Sequence, residues 1–253
     1  AVVPIISFQY NSIVFDLIFV NIASKNIPTD FDIHDDYILQ GISKKDALSL
    51  NGPRVTDRIL NLVPYKSSFR TALRVIKHWA KKRGVYNNKY GFLGGVSWAI
   101  LTAHICQLYP TKSAGFVLRK FFTTYTNWDW PRPVMLCPLV FHQDYYPPAT
   151  YNSDLDPVWT QANNPFDIFP IITPSFPAMN STFKVIPTTK RVIMQELQRG
   201  EIITARLDDP NLSTDDFIAI CNELVTPPNF FSQFVNYIDV DVSTTTKEEM
   251  AQW

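Results

Sequence analysis

Between Asp57 and Asp129 the sequence has no acidic residue, although twelve lysines and arginines fall in that interval. The whole chain is neutral, with 23 basic and 23 acidic side chains, so the absence is one of distribution. The acids gather further on, where Glu201 to Glu249 holds ten of them against Arg206 and Lys247. Such a separation projects a positive field from one region and points to polyanions, nucleic acid or nucleotide phosphate, as partners. A solvated basic face without a ligand would have the same composition.

Cysteine is scarce as well. Cys106, Cys137 and Cys221 are odd in number, far apart and without CxxC or Cys/His spacing, which excludes a disulfide framework and a structural zinc site as readings. No apolar run reaches the roughly eighteen residues of a membrane span, and the start lacks a basic n-region and cleavage site. A soluble protein of a reducing intracellular compartment, with no membrane partner, is the expectation. Glycine is rationed to eight residues, and four of them lie between Gly84 and Gly95. What is plentiful is apolar surface, 46% of 253 residues, enough for a large core and incompatible with a disordered chain.

The opening "VVPIISFQYNSIVFDLIFVNI" predicts two strands about a turn at Tyr10 to Ser12. Alternation puts Ile13, Phe15, Leu17 and Phe19 on one face and Val14, Asp16, Ile18 and Val20 on the other, so Asp16 is a carboxylate centred in an apolar strand. From Asp46 the sequence predicts short helices broken at Asn51-Gly52-Pro53 and ended by Pro64. Next, "FRTALRVIKHWAKKRG" predicts a helix capped by Ser68 and closed by Gly84, with Phe69, Leu73, Ile76 and Ala80 as its buried stripe. Arg70, Arg74, Lys77 and Lys81 repeat the same spacing one residue on. Neighbouring helical positions are about 100° apart, so this basic stripe borders the core and can line a cleft beside it. Lys82 and Arg83 are expected to be solvated.

Gly94-Gly95 then precedes an apolar helix, "VSWAILTAHICQLYP", where backbone N–H groups at a positive helix end are open to an anion. The pattern is neither a Walker A nor a GxGxxG motif, and taken by itself it favours a tight packing turn. Trp98, Phe92 and Leu93 are expected in the core, and His104 as a packed helix histidine. Helices are predicted over "SAGFVLRKFFTTYTNW" and "TTKRVIMQELQRGEIITARL", separated by an irregular segment rich in proline and aromatics. "FFSQFVNYIDVDV" alternates like a strand, a further small unit is expected from about Ser213, and "TKEEMAQW" reads as the start of a helix. The chain is expected to be a piece of something longer.

Taken in order, "NGPRVTDRIL", "FRTALRVIKHWAKKRGVYNNKYGFLGGVSWAILTAHICQLYP", "NWDWPRPV" and "FPIITPSFP" resemble the eukaryotic nuclear poly(A) polymerase family across nearly the whole chain. The resemblance implies an α+β fold: the end of a nucleotidyltransferase-type β-sheet over residues 1–50, a mainly helical middle domain over 51–212, and the beginning of an RRM-like α/β RNA-binding domain over 213–253. It implies template-independent addition of AMP from ATP to an RNA 3′ end in the nucleus. The implied cofactor is Mg²⁺ or Mn²⁺, and the implied partners are ATP, the RNA 3′ end, and cleavage and polyadenylation factors.

By the same resemblance "SIVFDLIFV" is similar to the strand that carries the third catalytic aspartate, which gives Asp16 the catalytic and metal-binding role. Lys77 is implied at the ATP phosphates, and Asn51, Tyr86, Asn88, Gly95 and Val96 at the nucleotide. The family's Gly-Ser helix and Asp-x-Asp pair have no counterpart in this sequence, so these residues by themselves are expected to be inactive. The segment "CPLVFHQDYYPPATYNSDLDPVWTQANNPFD" departs from the family by its length and aromatic content. Two other readings stand beside the polymerase: a non-catalytic RNA-binding or scaffold subunit derived from a degenerate polymerase, and a related terminal transferase that uses UTP.

Overall fold

The computed structural model describes residues 5–22, 24, 26–39, 41–141, 158–233, 235–239, 241 and 243. The aromatic-rich stretch at 142–157 and the helix start expected in "TKEEMAQW" lie outside them. The chain begins with a hairpin, β1 (Ile5–Tyr10) paired antiparallel with β2 (Ile13–Ile18). Asn11 and Ser12 both take positive φ, 46° and 63°, the geometry of a two-residue turn that matches the twist of the strands. Both faces of the hairpin are open, with Ile6, Val14 and Leu17 all more than half exposed.

Helix α1 (Lys44–Leu62) follows, and it corrects the sequence expectation. It runs unbroken through Asn51-Gly52-Pro53 instead of stopping there. Pro53 removes the amide that would reach the Ser49 carbonyl. Gly52 and Pro53 face solvent, while Ala47, Leu50, Arg54, Val55 and Ile59 keep a continuous buried row at helical spacing. Burial of that row outweighs the local break. Ser43 caps the helix through Asp46 N–H, and Val63 closes it just before Pro64.

Helix α2 (Lys66–Lys82) starts earlier than its supposed cap. Ser68 is buried within the first turn, and Tyr65 occupies the N-cap without a side-chain hydrogen bond. The far end matches expectation: Gly84 N–H reaches Lys81 O at 3.3 Å and Val85 N–H reaches Ala80 O at 2.9 Å. With φ of 73° at Gly84 this is a Schellman closure. Helices α3 (Gly95–Leu108) and α4 (Ala114–Thr126) then pack on α2. Their meeting point is an aromatic cluster in which Trp79 meets Trp98 and Phe122 edge-on, at centroid distances of 5.6 and 4.8 Å. His104 packs as expected. Its Nδ1 lies 3.0 Å from the Tyr125 hydroxyl, which donates to Leu101 O at 2.8 Å.

The irregular segment after α4 forms a second, smaller core in which Trp159, Ile172, Phe176 and Ala178 bury Leu39, Ile42, Ala47 and Leu50. Helix α5 (Pro187–Ala205) closes over α4, and α6 (Thr214–Val225) packs on α5 and α2 through Ile220 and Leu224. The expected strand at "FFSQ" is a short helix instead, α7 (Phe230–Gln233). Alternation over so few residues does not separate a strand from a helical turn.

Arg83 is the other correction. It is 9% exposed and holds Glu196 of α5 with two hydrogen bonds of 2.7 Å, while its third donor reaches the Thr226 carbonyl at 2.6 Å. Lys82, beside it, is exposed as expected. Three segments of helical structure therefore meet on one guanidinium. Glu196→Ala leaves that buried cation without its carboxylate, and a loss of about 3–5 kcal/mol is expected in urea unfolding, against less than about 1 kcal/mol for Lys82→Ala.

Candidate nucleotide-phosphate cleft

A cleft of about 380 Å³ opens between three helices. Thr56, Ile59 and Leu60 enter it from α1, Phe69, Arg70, Leu73 and Lys77 from α2, and Gly95, Val96 and Ala99 from α3. Each set is an i, i+3 or i+4 row, so the cleft is the place where three helix faces converge without filling the space between them. Its floor is apolar. Its charge comes from Arg70 and Lys77, and no acid lines it.

Lys77 sits at the edge of the core, half-buried, and burial pulls its ammonium below the ordinary lysine range, with neighbouring Lys81 adding a smaller repulsion. No carboxylate among the described residues pairs with Lys77, Arg70, Arg74 or Lys81. A cation held in this way is favoured by an anionic ligand, because the ligand supplies the countercharge that the fold withholds.

The turn after α2 brings the second element. Gly84 redirects the chain, Val85 is buried, and Tyr86 bridges to Leu93 so that its ring lies under Lys81, 5.2 Å from the ammonium. The Tyr86 hydroxyl then reaches the start of α3. A Cβ at Gly95 would lie 2.8 Å from that hydroxyl and 3.4 Å from Lys77 Nζ, so the missing side chain is what lets phenol and ammonium converge on the helix end. Gly94 is the N-cap of α3 and offers no side-chain cap, which leaves first-turn amides available at the positive end of the dipole. Asn88 stands beside Gly94, its Cβ 3.4 Å from where a Gly94 Cβ would be.

Of the residues singled out from sequence, Lys77, Tyr86, Gly95 and Val96 meet at one place, with Asn88 adjacent. Asn51 and Asp16 do not line this cleft. Asn51 is on α1 with its Nδ2 4.0 Å from Met179 Sδ and its Oδ1 buried without a partner. Asp16 is on the exposed hairpin, accepting a 2.5 Å hydrogen bond from Ser7 across the strand pair. No cluster of three or more His, Cys, Asp or Glu able to hold a metal exists among the described residues. Asp16 is one oxygen donor, and a pair of hard divalent ions needs several, so the metal chemistry of the implied reaction does not fit within these residues alone.

Sequence reading did not find Thr56, Leu60 and Ala99, and it assigned Leu73 to the core although the side chain is only partly buried at the cleft. The rows were visible on each helix. Which rows face one another was not.

Two family profiles match the chain. The profile of the poly(A) polymerase central domain matches residues 68–218, and that of the poly(A) polymerase nucleotidyltransferase domain matches residues 1–63. The chain belongs to the poly(A) polymerase family. It is 39% identical to nuclear poly(A) polymerase 2 of Arabidopsis thaliana over 99% of its own length and 30% of that protein's. It is also 39% identical to a poly(A) polymerase of Dictyostelium discoideum, over 100% of this chain and 29% of the relative. The chain thus spans about 30% of the length of such relatives. A solved cytoplasmic RNA terminal U-transferase aligns over 89% of this chain and 73% of its own at 14% identity and a TM-score of 0.41, too slight a likeness to define the fold. Among the described residues no helix is long and apolar enough to cross a membrane.

The convergence at Gly95 is directly testable. Gly95→Ala is expected to lower stability by about 1–3 kcal/mol in thermal melts, because the methyl group must displace the Tyr86 hydroxyl. Adding Tyr86→Phe removes the clashing oxygen and should recover part of that loss, whereas additive losses would place the clash elsewhere.

Proposed function

We propose that the protein containing this chain adds AMP from ATP to RNA 3′ ends, and that this chain supplies the nucleotide-side wall and one metal ligand. The observation that carries the reading is the cleft: an unpaired, half-buried lysine, a phenol and an uncapped helix start directed at one point in a member of the poly(A) polymerase family.

In this reaction the RNA 3′ oxygen attacks the α-phosphorus of ATP, a new P–O bond forms, and the bond to pyrophosphate breaks. Asp16 would be one of the residues holding Mg²⁺ or Mn²⁺, which would supply positive charge at the reacting phosphate. This chain's contribution to that chemistry is the Asp16 carboxylate, completed by ligands from other segments of the longer protein. Lys77 binds the triphosphate as a point charge, and the free amides at the start of α3 add fixed positive dipoles beside it. Gly95 allows the phosphate to approach the backbone. Tyr86 and Asn88 serve the sugar and base, Val96 packs against the nucleotide at the cleft rim, and Asn51, turned toward Met179, lies away from it. Arg70 and the exposed Arg74 extend the positive field toward RNA.

The division into residues 1–50, 51–212 and 213–253 belongs to the same proposal, with α1 spanning the first boundary. Nuclear location and cleavage and polyadenylation factors as partners follow from the reading, and the names of the plant relatives support the first of them.

Lys77→Ala in the intact protein should raise the KM for ATP by roughly 10- to 150-fold, the equivalent of about 1.5–3 kcal/mol for a charged phosphate contact. An unchanged KM removes Lys77 from the site. Only the ammonium form pairs with phosphate, so ATP affinity should fall as pH rises through the lowered Lys77 value, below the ordinary 10.5. Lys77→Arg should abolish that alkaline loss, because guanidinium stays charged. Asp16→Ala should eliminate adenylate addition, measured by primer extension with ATP. Extension at the normal rate would refute its role as a metal ligand.

A further inference from the structure

The segment between the hairpin and the helices is fastened to α1 at three polar points. The Asn21 amide donates to Asp46 at 3.0 Å, Asp36 pairs with Arg54, and His34 Nε2 lies 3.3 Å from Asp57. Arg54 and Asp57 are three residues apart and share a face of α1. They meet residues 36 and 34, so the segment runs antiparallel to this row with complementary groups opposed. Sliding it by one step would carry the Asp36 carboxylate toward Asp57, and the like charges would repel.

Arg54 is unusual in its setting. Its side chain is 3% exposed, against 27% for Asp36, and its Nε and Nη1 have no partner among the described residues. One helical step earlier on the same face, the buried Oδ1 of Asn51 also lacks one. No hydrogen bond joins the two side chains, so the Asp36 carboxylate is the polar contact through which Arg54 acts. A buried ion pair of this kind gives little net stability over an apolar replacement. What it supplies is placement, because a carboxylate joined to a buried guanidinium is held at one point along the helix. Beyond the pair, Leu39 and Ile42 enter the second core against Ala47 and Leu50, so the fastening continues as packing.

We propose that Arg54 is a positioning residue for nucleotidyl transfer. It holds residues 34–36 in register on α1, and the same segment, packed on the second core through Val20, Ile22, Leu39 and Ile42, leads back to the Asp16 hairpin and sets its approach to the Lys77 cleft. The inference rests on the functional reading given above. Arg54 touches no reacting group in this scheme, and its action runs through Asp36.

The test uses the full-length protein, with oligo(A) extension from ATP measured per folded molecule below the melting temperature of every variant. Arg54→Met and Asp36→Asn should each lower kcat by about tenfold or more while the KM for ATP moves by less than about twofold. The reversed pair, Asp36→Arg with Arg54→Asp, should regain a substantial part of the lost kcat, and limited proteolysis within residues 30–41 should accelerate in the single variants and slow again in the reversed pair. Lower stability with unchanged kcat would make Arg54 a structural brace only and overturn the proposal, as would a rise in KM without a fall in kcat. Failure of the wild-type protein to extend the primer would instead refute the functional reading. Unaltered proteolysis in both single variants would refute the register claim whatever the activity.

Discussion

The position of the cleft depends on one guanidinium. Arg83 ends α2, binds Glu196 of α5 in a two-pronged contact and donates to the Thr226 carbonyl at the end of α6. Three residues later the chain delivers Tyr86 to the start of α3. If the end of α2 were free, the Schellman turn at Gly84 could swing and the phenol would lose its place beside Gly95. Burying an ion pair contributes little to net stability, but it restricts the turn to one arrangement. The basic helix can then keep Lys77 without an ion-pair partner, since the anchoring is done by its neighbour six residues on.

That division of labour explains the charge pattern of the sequence. The acid-free interval holds both kinds of cation, those that fasten the fold and those left available. Arg83 reaches across 113 residues for its carboxylate, and Arg119 pairs at 3.1 Å with Asp208, so part of the acidic end is brought back to neutralise structural cations. Among the described residues Arg70, Arg74, Lys77 and Lys81 receive none. The net positive field at the cleft is what remains after the fold has satisfied its own needs.

Much of this was legible in the sequence, because it depends on local rules. The Asn11-Ser12 hairpin turn, the Gly84 closure and the basic stripe of α2 follow from turn chemistry and helical period. The remainder was not legible, and the reasons differ by residue. Arg83 looks identical to Lys82 until Glu196 is folded against it. Pro53 reads as a helix stop because its missing amide is a local fact, whereas the buried row that overrides it belongs to tertiary packing. Ser68 reads as a cap because the hydroxyl precedes an apolar row, yet the helix had already begun at Lys66. At the cleft, Lys77 and Gly95 could be named from motif and spacing, but Thr56 and Ala99 enter only once α1 and α3 face each other.

The unbroken course of α1 has a mechanical side. From Asp46, where the hairpin segment is tied, to Leu60, at the cleft, the helix is one rod about 21 Å long at 1.5 Å per residue. Two helices separated at Gly52 would act as a joint and absorb motion. A single rod acts as a lever, so a tilt of about 5° at the tied end becomes a displacement on the order of 2 Å at the other, the scale on which reacting groups gain or lose alignment. The proline that resembles a break in the sequence therefore lies in the middle of a transmission shaft.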